Sequence, residues 1–261
     1  MNRLNQARYE LIQIEQESQC NRWMNRLHPL IKFLLTIFYI VLVISYLRYD
    51  IFGLLGMILY PIVLFIIGEI PFLKCIKRQK AAFFLILAVG IWNPLFDRTI
   101  LMQVGTIQIT GGMVSMLTLM LKGIFSVLAV YLLVITTSIE KICYAMRLLH
   151  IPKVIVTIIL LIYRYLTLLL SEAQQMMEAY ALRAPKQKGL HYKVWGSLIG
   201  QFLLRSIDRA SEVYESMCLR GYCGEFEYEK EEKIQCRDCC YFIVWIVVFV
   251  LLKTVPVFKL F

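Results

Sequence analysis

Residues 151–189 read IPKVIVTIILLIYRYLTLLLSEAQQMMEAYALRAPKQKG, a stretch whose two halves suit different solvents. From Val154 to Leu170 nearly every side chain is apolar, yet Tyr163-Arg164-Tyr165 sits at the centre. From Ser171 to Arg183, Ala173, Met176, Met177, Tyr180 and Ala181 recur at helical spacing opposite Glu172, Gln175 and Glu178, and Pro185 stops the helix. A buried arginine in lipid is expensive even on the mildest scales. Val154–Leu170 is therefore expected to be a non-spanning helix packed against others at the inner membrane face, with Arg164 reaching polar groups. The polar half then lies in the cytoplasm.

Toward the C-terminus, Trp195, Leu198, Ile199, Phe202 and Leu203 form the apolar stripe of another helix. It continues through Arg205, Asp208, Arg209, Glu212 and Glu215, charges spaced to pair along one face. Gly221 follows Arg220 as a helix-ending residue would. Two equivalent turns result: Leu182-Arg183-Ala184 closes one polar helix and Leu219-Arg220-Gly221 the next. The helix macrodipole alone favours a single cation in a last turn. Two in matching positions suit helix ends presented to a partner.

The rest of the chain is oily. With 261 residues, 59% hydrophobic content, mean hydropathy +0.67 and 18% charged residues, it is too apolar for an ordinary soluble domain. The net charge is +10, but Ser171–Cys240 holds 10 Lys and Arg against 11 Asp and Glu, leaving 18 against 7 elsewhere. The positive excess flanks the apolar segments, as in proteins oriented by their membrane edges. Nucleic-acid binding is the weaker reading, because no cluster combines dense Lys and Arg with interleaved aromatics.

Residues 1–29, with Arg3, Arg8, Arg22 and Arg26, are expected to be a cytoplasmic segment and not a signal peptide. Residues 30–139 form a membrane domain of four spans. The first is Leu30–Leu47, with Lys32 snorkelling to the surface. The second is Ile51–Gly68, containing Pro61, which membrane helices tolerate when neighbours re-satisfy the freed carbonyl. A basic inside loop, Glu69–Lys80, leads to Ala81–Phe96, which Asn93-Pro94 ends or kinks. Val104–Thr110 alternates weakly and reads as a short extended piece before Gly111-Gly112. Met113–Ile139 is the fourth span; its Lys122 is an intramembrane functional candidate by default, with the structural reading, near an interface or against protein, weighted above it. Residues 140–240 form a cytoplasmic coupling domain with the two arginine-bearing helices, and residues 241–261 a C-terminal span. The fold class is an all-α polytopic membrane protein.

Catalytic chemistry has no visible constellation. The three histidines are far apart, and neither a His-x-x-x-His pair nor a Gly-x-Ser-x-Gly turn occurs. The eight cysteines, Cys218, Cys223, Cys236 and Cys239 among them, read as reduced thiols on the cytoplasmic side, and neither a metal nor a cofactor is expected. No Gly-x-x-x-x-Gly-Lys-Ser/Thr phosphate loop is present. If the chain serves an energised transporter, a separate chain hydrolyses the ATP and needs a docking surface.

The 151–189 stretch, LLRSIDRASEVYESMCLRGY at 203–222 and HPLIKFL at 28–34 together resemble the transmembrane T component of energy-coupling-factor transporters, in its cobalt branch, CbiQ. In that family two short Ala-Arg-Gly motifs end the coupling helices and insert into grooves on two ATPase subunits. Here both arginines are kept, alanine is replaced twice and glycine once. The resemblance implies a non-catalytic subunit of a prokaryotic cell-membrane importer. Its partners would be two ABC-type ATPases and a substrate-binding S component, CbiM-like if the cargo is cobalt, within membrane lipid. Vitamin or nickel uptake is the alternative cargo, and a secondary transporter the rival mechanism. ATPase docking then falls on Leu182, Arg183, Ala184, Leu219, Arg220 and Gly221, with Lys122 and Arg164 as interior polar candidates.

Overall fold

The computed structural model describes residues 2–20, 22–47, 50–96, 100–104, 107–184, 191–224 and 234–254. It is helical apart from one two-stranded ribbon, and the chain divides into two compact units. One comprises Ser18–Ser138 and Glu232–Phe261, the other Met1–Glu17 and Ile139–Glu231.

In the first unit, α2 (Pro29–Ser45) packs on the long α7 (Gly111–Thr136); α1 (Asn2–Gln19), as far as Glu17, belongs to the second unit. His28 opens α2 by accepting the Leu30 N–H, and Pro29 occupies the first turn, where its missing N–H costs nothing. Lysines lock the α2–α7 pair in both directions. Lys32, 5% exposed, donates from Nζ to Thr136 O at 2.9 Å and Thr137 Oγ1 at 3.3 Å, at the C-terminus of α7. Lys122 of α7 donates to Ile44 O at 3.0 Å and to Tyr46 O, at the C-terminus of α2. Each ammonium satisfies carbonyls that a helix end leaves open and meets the negative end of the macrodipole. Lys32 therefore does not snorkel outward as expected, since the open carbonyls of a neighbouring helix offer it partners inside the protein.

The second apolar segment is broken into α3 (Ile51–Gly56) and α4 (Leu59–Ile67). Pro61 explains the break, because proline lacks the N–H that would bond the carbonyl four residues back, Met57 O. That carbonyl accepts the Tyr39 hydroxyl at 3.0 Å instead, the re-satisfaction that the sequence requires. After α5 (Phe72–Arg78), α6 (Lys80–Phe96) runs past Pro94 and packs along α7. The extended piece is half of an antiparallel ribbon: β1 (Ile100–Val104) pairs with β2 (Ile107–Thr110), Val104 opposite Ile107. α7 begins directly at Gly111, so the glycine pair belongs to the helix.

The core of this unit is aromatic. Tyr39 and Tyr60 stack with ring centroids 4.5 Å apart, and Trp245 and Phe249 of α11 (Cys236–Thr254) complete the cluster, Trp245 lying 4.9 Å from Tyr60. Asp238 holds the first turn of α11 by accepting the Gln235 N–H at 3.1 Å.

In the second unit, α8 (Ile139–Leu148) packs on α9 (Lys153–Arg183), and α10 (Tyr192–Leu219) contacts α9. Two expectations are corrected here. Val154–Leu170 and Ser171–Arg183 are one continuous helix, since nothing between Leu170 and Ser171 breaks the hydrogen-bond ladder. Its apolar half is also not packed away: only Val156 and Thr157 are buried there, while Val154, Ile155, Ile158 and Ile162 are exposed. α7 and α9 are each long and apolar enough to cross a bilayer; Pro29–Ser45, Gly53–Ile67 and Lys80–Ile91 are apolar but shorter.

Candidate functional site: the ends of α9 and α10

Both arginine turns are exposed helix termini. α9 ends at Arg183, and Ala184 caps it at φ −128°, ψ 62°, its N–H donating to Tyr180 O. A negative φ accommodates any L-residue, so this turn has no need of glycine. The α10 terminus is different. Gly221 N–H donates to Cys218 O and Tyr222 N–H to Met217 O, both at 3.0 Å, with Gly221 at φ +83°. This pair of bonds is the Schellman cap, whose left-handed residue is glycine because a Cβ there is strained. No neighbouring atom would touch a Cβ on Gly221, so backbone conformation alone selects it. The glycine is kept in one motif and absent from the other for this reason.

Each arginine is preceded by a leucine almost fully in the open, Leu182 at 83% and Leu219 at 89% exposure. Leaving a leucine side chain uncovered forgoes about 2 kcal/mol of burial. A leucine beside a guanidinium with five donors pairs an apolar anchor with a directional cation. Further along α10, Arg209 and Glu212 pair at 3.2 Å as the spacing foretold. The apolar stripe of α10 packs only in part, because Leu198 and Phe202 are half-buried while Trp195, Ile199 and Leu203 are exposed.

The two ends are well separated. Arg220 lines a cleft of about 600 Å³ with Arg147 of α8 and Arg164 and Tyr165 of α9. At 1.5 Å rise per residue, α9 then carries Arg183 about 28 Å beyond Arg164. On its other side Arg164 borders a hollow of about 420 Å³ lined by Glu15 and Glu140. Sequence reading missed Arg147 in this cleft; its only signal is a place in the last turn of α8. Lys122, the other interior candidate, belongs to the first unit and caps α2 there.

All eight cysteines are free thiols. Burial pushes the Cys75 thiol up to about 11, and burial, followed by the nearby Glu140 carboxylate, raises that of Cys143.

The family model for CbiQ, described as cobalt transport protein, matches residues 20–232. An uncharacterized protein of Methanocaldococcus jannaschii is 28% identical over 201 residues, 73% of this chain and 69% of its own. The energy-coupling factor transporter transmembrane protein EcfT of Listeria innocua is 26% identical over 224 residues, covering 78% of this chain and 82% of that one. Nickel permease LarQ of Lactiplantibacillus plantarum is 27% identical over 104 residues, 40% and 38% of the two chains. With a match over most of its length and apolar helices to suit, this membrane protein belongs to the CbiQ cobalt transport protein family.

Proposed function

We propose that the chain is the multi-pass transmembrane coupling subunit of a prokaryotic energy-coupling-factor importer, non-catalytic itself and energised by two separate ABC-type ATPases. The observation that carries this reading is the pair of exposed Leu-Arg helix ends, one closing α9 and the other α10. Leu182, Arg183 and Ala184 seat one ATPase, and Leu219, Arg220 and Gly221 seat the other. The guanidinium supplies several charge-assisted hydrogen bonds to carboxylates or carbonyls, which a lysine imitates poorly. The uncovered apolar face of α10, with Trp195, Ile199 and Leu203 exposed, favours a membrane-embedded partner, the substrate-binding subunit, against which the helices transmit ATPase closure.

Cobalt is the favoured cargo, on the description of the family; a nickel cargo is the second reading, favoured by the likeness to a nickel permease. The test is co-purification of the tagged chain with its ATPases. Arg183→Glu together with Arg220→Glu is expected to release both ATPases and leave the variant in the membrane at wild-type level. Retained ATPases and retained metal uptake would overturn the docking reading. Uptake of radiolabelled cobalt and nickel by cells carrying the whole transporter separates the two cargoes.

A further inference from the structure

The cleft beside Arg220 gathers three cations from three helices: Arg147 from the last turn of α8, Arg164 from the middle of α9 and Arg220 beyond the end of α10. Among the described residues no carboxylate lines it; Tyr165, Ser216, Tyr222 and Cys223 add hydroxyls and a thiol to its lining. The wall supplied by α9 is continuous with an apolar face. At 100° per residue Val154, Ile158, Leu161, Ile162 and Tyr165 fall within an arc of about 100°. Val154, Ile158 and Ile162 are exposed along it.

A cluster of guanidiniums at the end of an uncovered apolar helix face, rimmed by tyrosine, matches one chemistry closely. We infer that the Arg147–Arg164–Arg220 cleft binds the phosphate of an anionic phospholipid whose acyl chains lie along the Val154–Ile162 face of α9. The headgroup phosphate accepts the guanidinium donors bidentately, and the acyl chains cover side chains left exposed among the described residues. Tyr165 takes the interfacial place usual for tyrosine, with its ring toward the chains and its hydroxyl toward the headgroup. This inference needs only a membrane setting and stands apart from the ATPase reading; Arg220 and Gly221 serve both.

The test uses the full chain in neutral detergent, titrated with phosphatidylglycerol, phosphatidylcholine or inorganic phosphate and read by native mass spectrometry. The wild type is expected to retain phosphatidylglycerol preferentially, and Arg147→Gln with Arg164→Gln to weaken that binding roughly 30-fold, as for two membrane-surface cations. Equal phosphatidylglycerol binding by wild type and variant overturns the proposal. So does inorganic phosphate competing as strongly as the lipid, which would mark a site for free anions. Loss of ATPase co-purification by the same variant, with phosphatidylglycerol binding intact, would assign the cleft to partner carboxylates instead. Should the variant fail to fold, a chain with Cys223 as its sole cysteine serves: phosphatidylglycerol, and not phosphatidylcholine, is expected to slow maleimide labelling of that thiol. Equal rates overturn the proposal.

Discussion

At the scale of single residues, the two arginine turns are alike in chemistry and unlike in backbone, and the difference is measurable. Gly221→Ala forces an L-residue into a left-handed position and is expected to destabilise the end of α10 by about 1 kcal/mol. Ala184→Gly, at an ordinary φ, is expected to change stability by less than about 0.5 kcal/mol. Hydrogen exchange of the Gly221 and Tyr222 amides reads the first change directly. The lysines of the α2–α7 pair make a second contrast. Lys32→Met strips a buried double contact and should cost about 2 kcal/mol in thermal unfolding, against about 1 kcal/mol for the more exposed Lys122→Met. If Lys122 worked in transport instead, its variant would lose uptake at unchanged folded amount. Sequence alone ranked the structural reading of Lys122 first and could not supply its partner, since Ile44 and Tyr46 offer backbone carbonyl acceptors that no distinctive residue type marks.

Among the elements, the break between α3 and α4 tests how proline is accommodated. Tyr39→Phe removes the hydroxyl that serves Met57 O and should cost about 1 kcal/mol. In a Pro61→Ala background, where residue 61 regains an N–H for that carbonyl, the cost should shrink; a double-mutant cycle by thermal melts gives the coupling. That such a neighbour was needed is legible from Pro61; which residue provides it is a matter of packing. α9 shows the opposite case. Its polarity change at Ser171 reads as a boundary between two helices, yet polarity does not break a helix, and only Pro185 carried a backbone reason to stop. Arg164 suggested a packed segment because a lone cation in lipid is costly. The structure surrounds it with a cleft and an acid-lined hollow, neither legible without knowing that α1, α8 and α10 converge on α9.

On the whole-molecule scale, the chain returns to its first unit only at the end. α11 completes the aromatic core around Tyr39 and Tyr60 after a long excursion through the second unit. Phe249→Ala should therefore cost about 3–5 kcal/mol, as a large core deletion does, and lower the amount of folded protein in membranes. The apolar helices and the arginine-bearing helix ends were legible because each depends on local composition. The partnership of α11 with α2 and α4 depends on contacts far apart in sequence, which composition does not encode. The central claim is that the ends of α9 and α10 each seat an ATPase, and site-specific cross-linking tests it most directly. Leu182→Cys and Leu219→Cys are introduced singly and together into a cysteine-free chain, labelled with benzophenone maleimide, assembled with the ATPases and irradiated, so that the ketone inserts into any nearby C–H bond. Each single variant is predicted to yield an adduct with one ATPase, and the double variant an adduct carrying two. Assembled, ATP-hydrolysing complexes in which neither position cross-links would contradict the account.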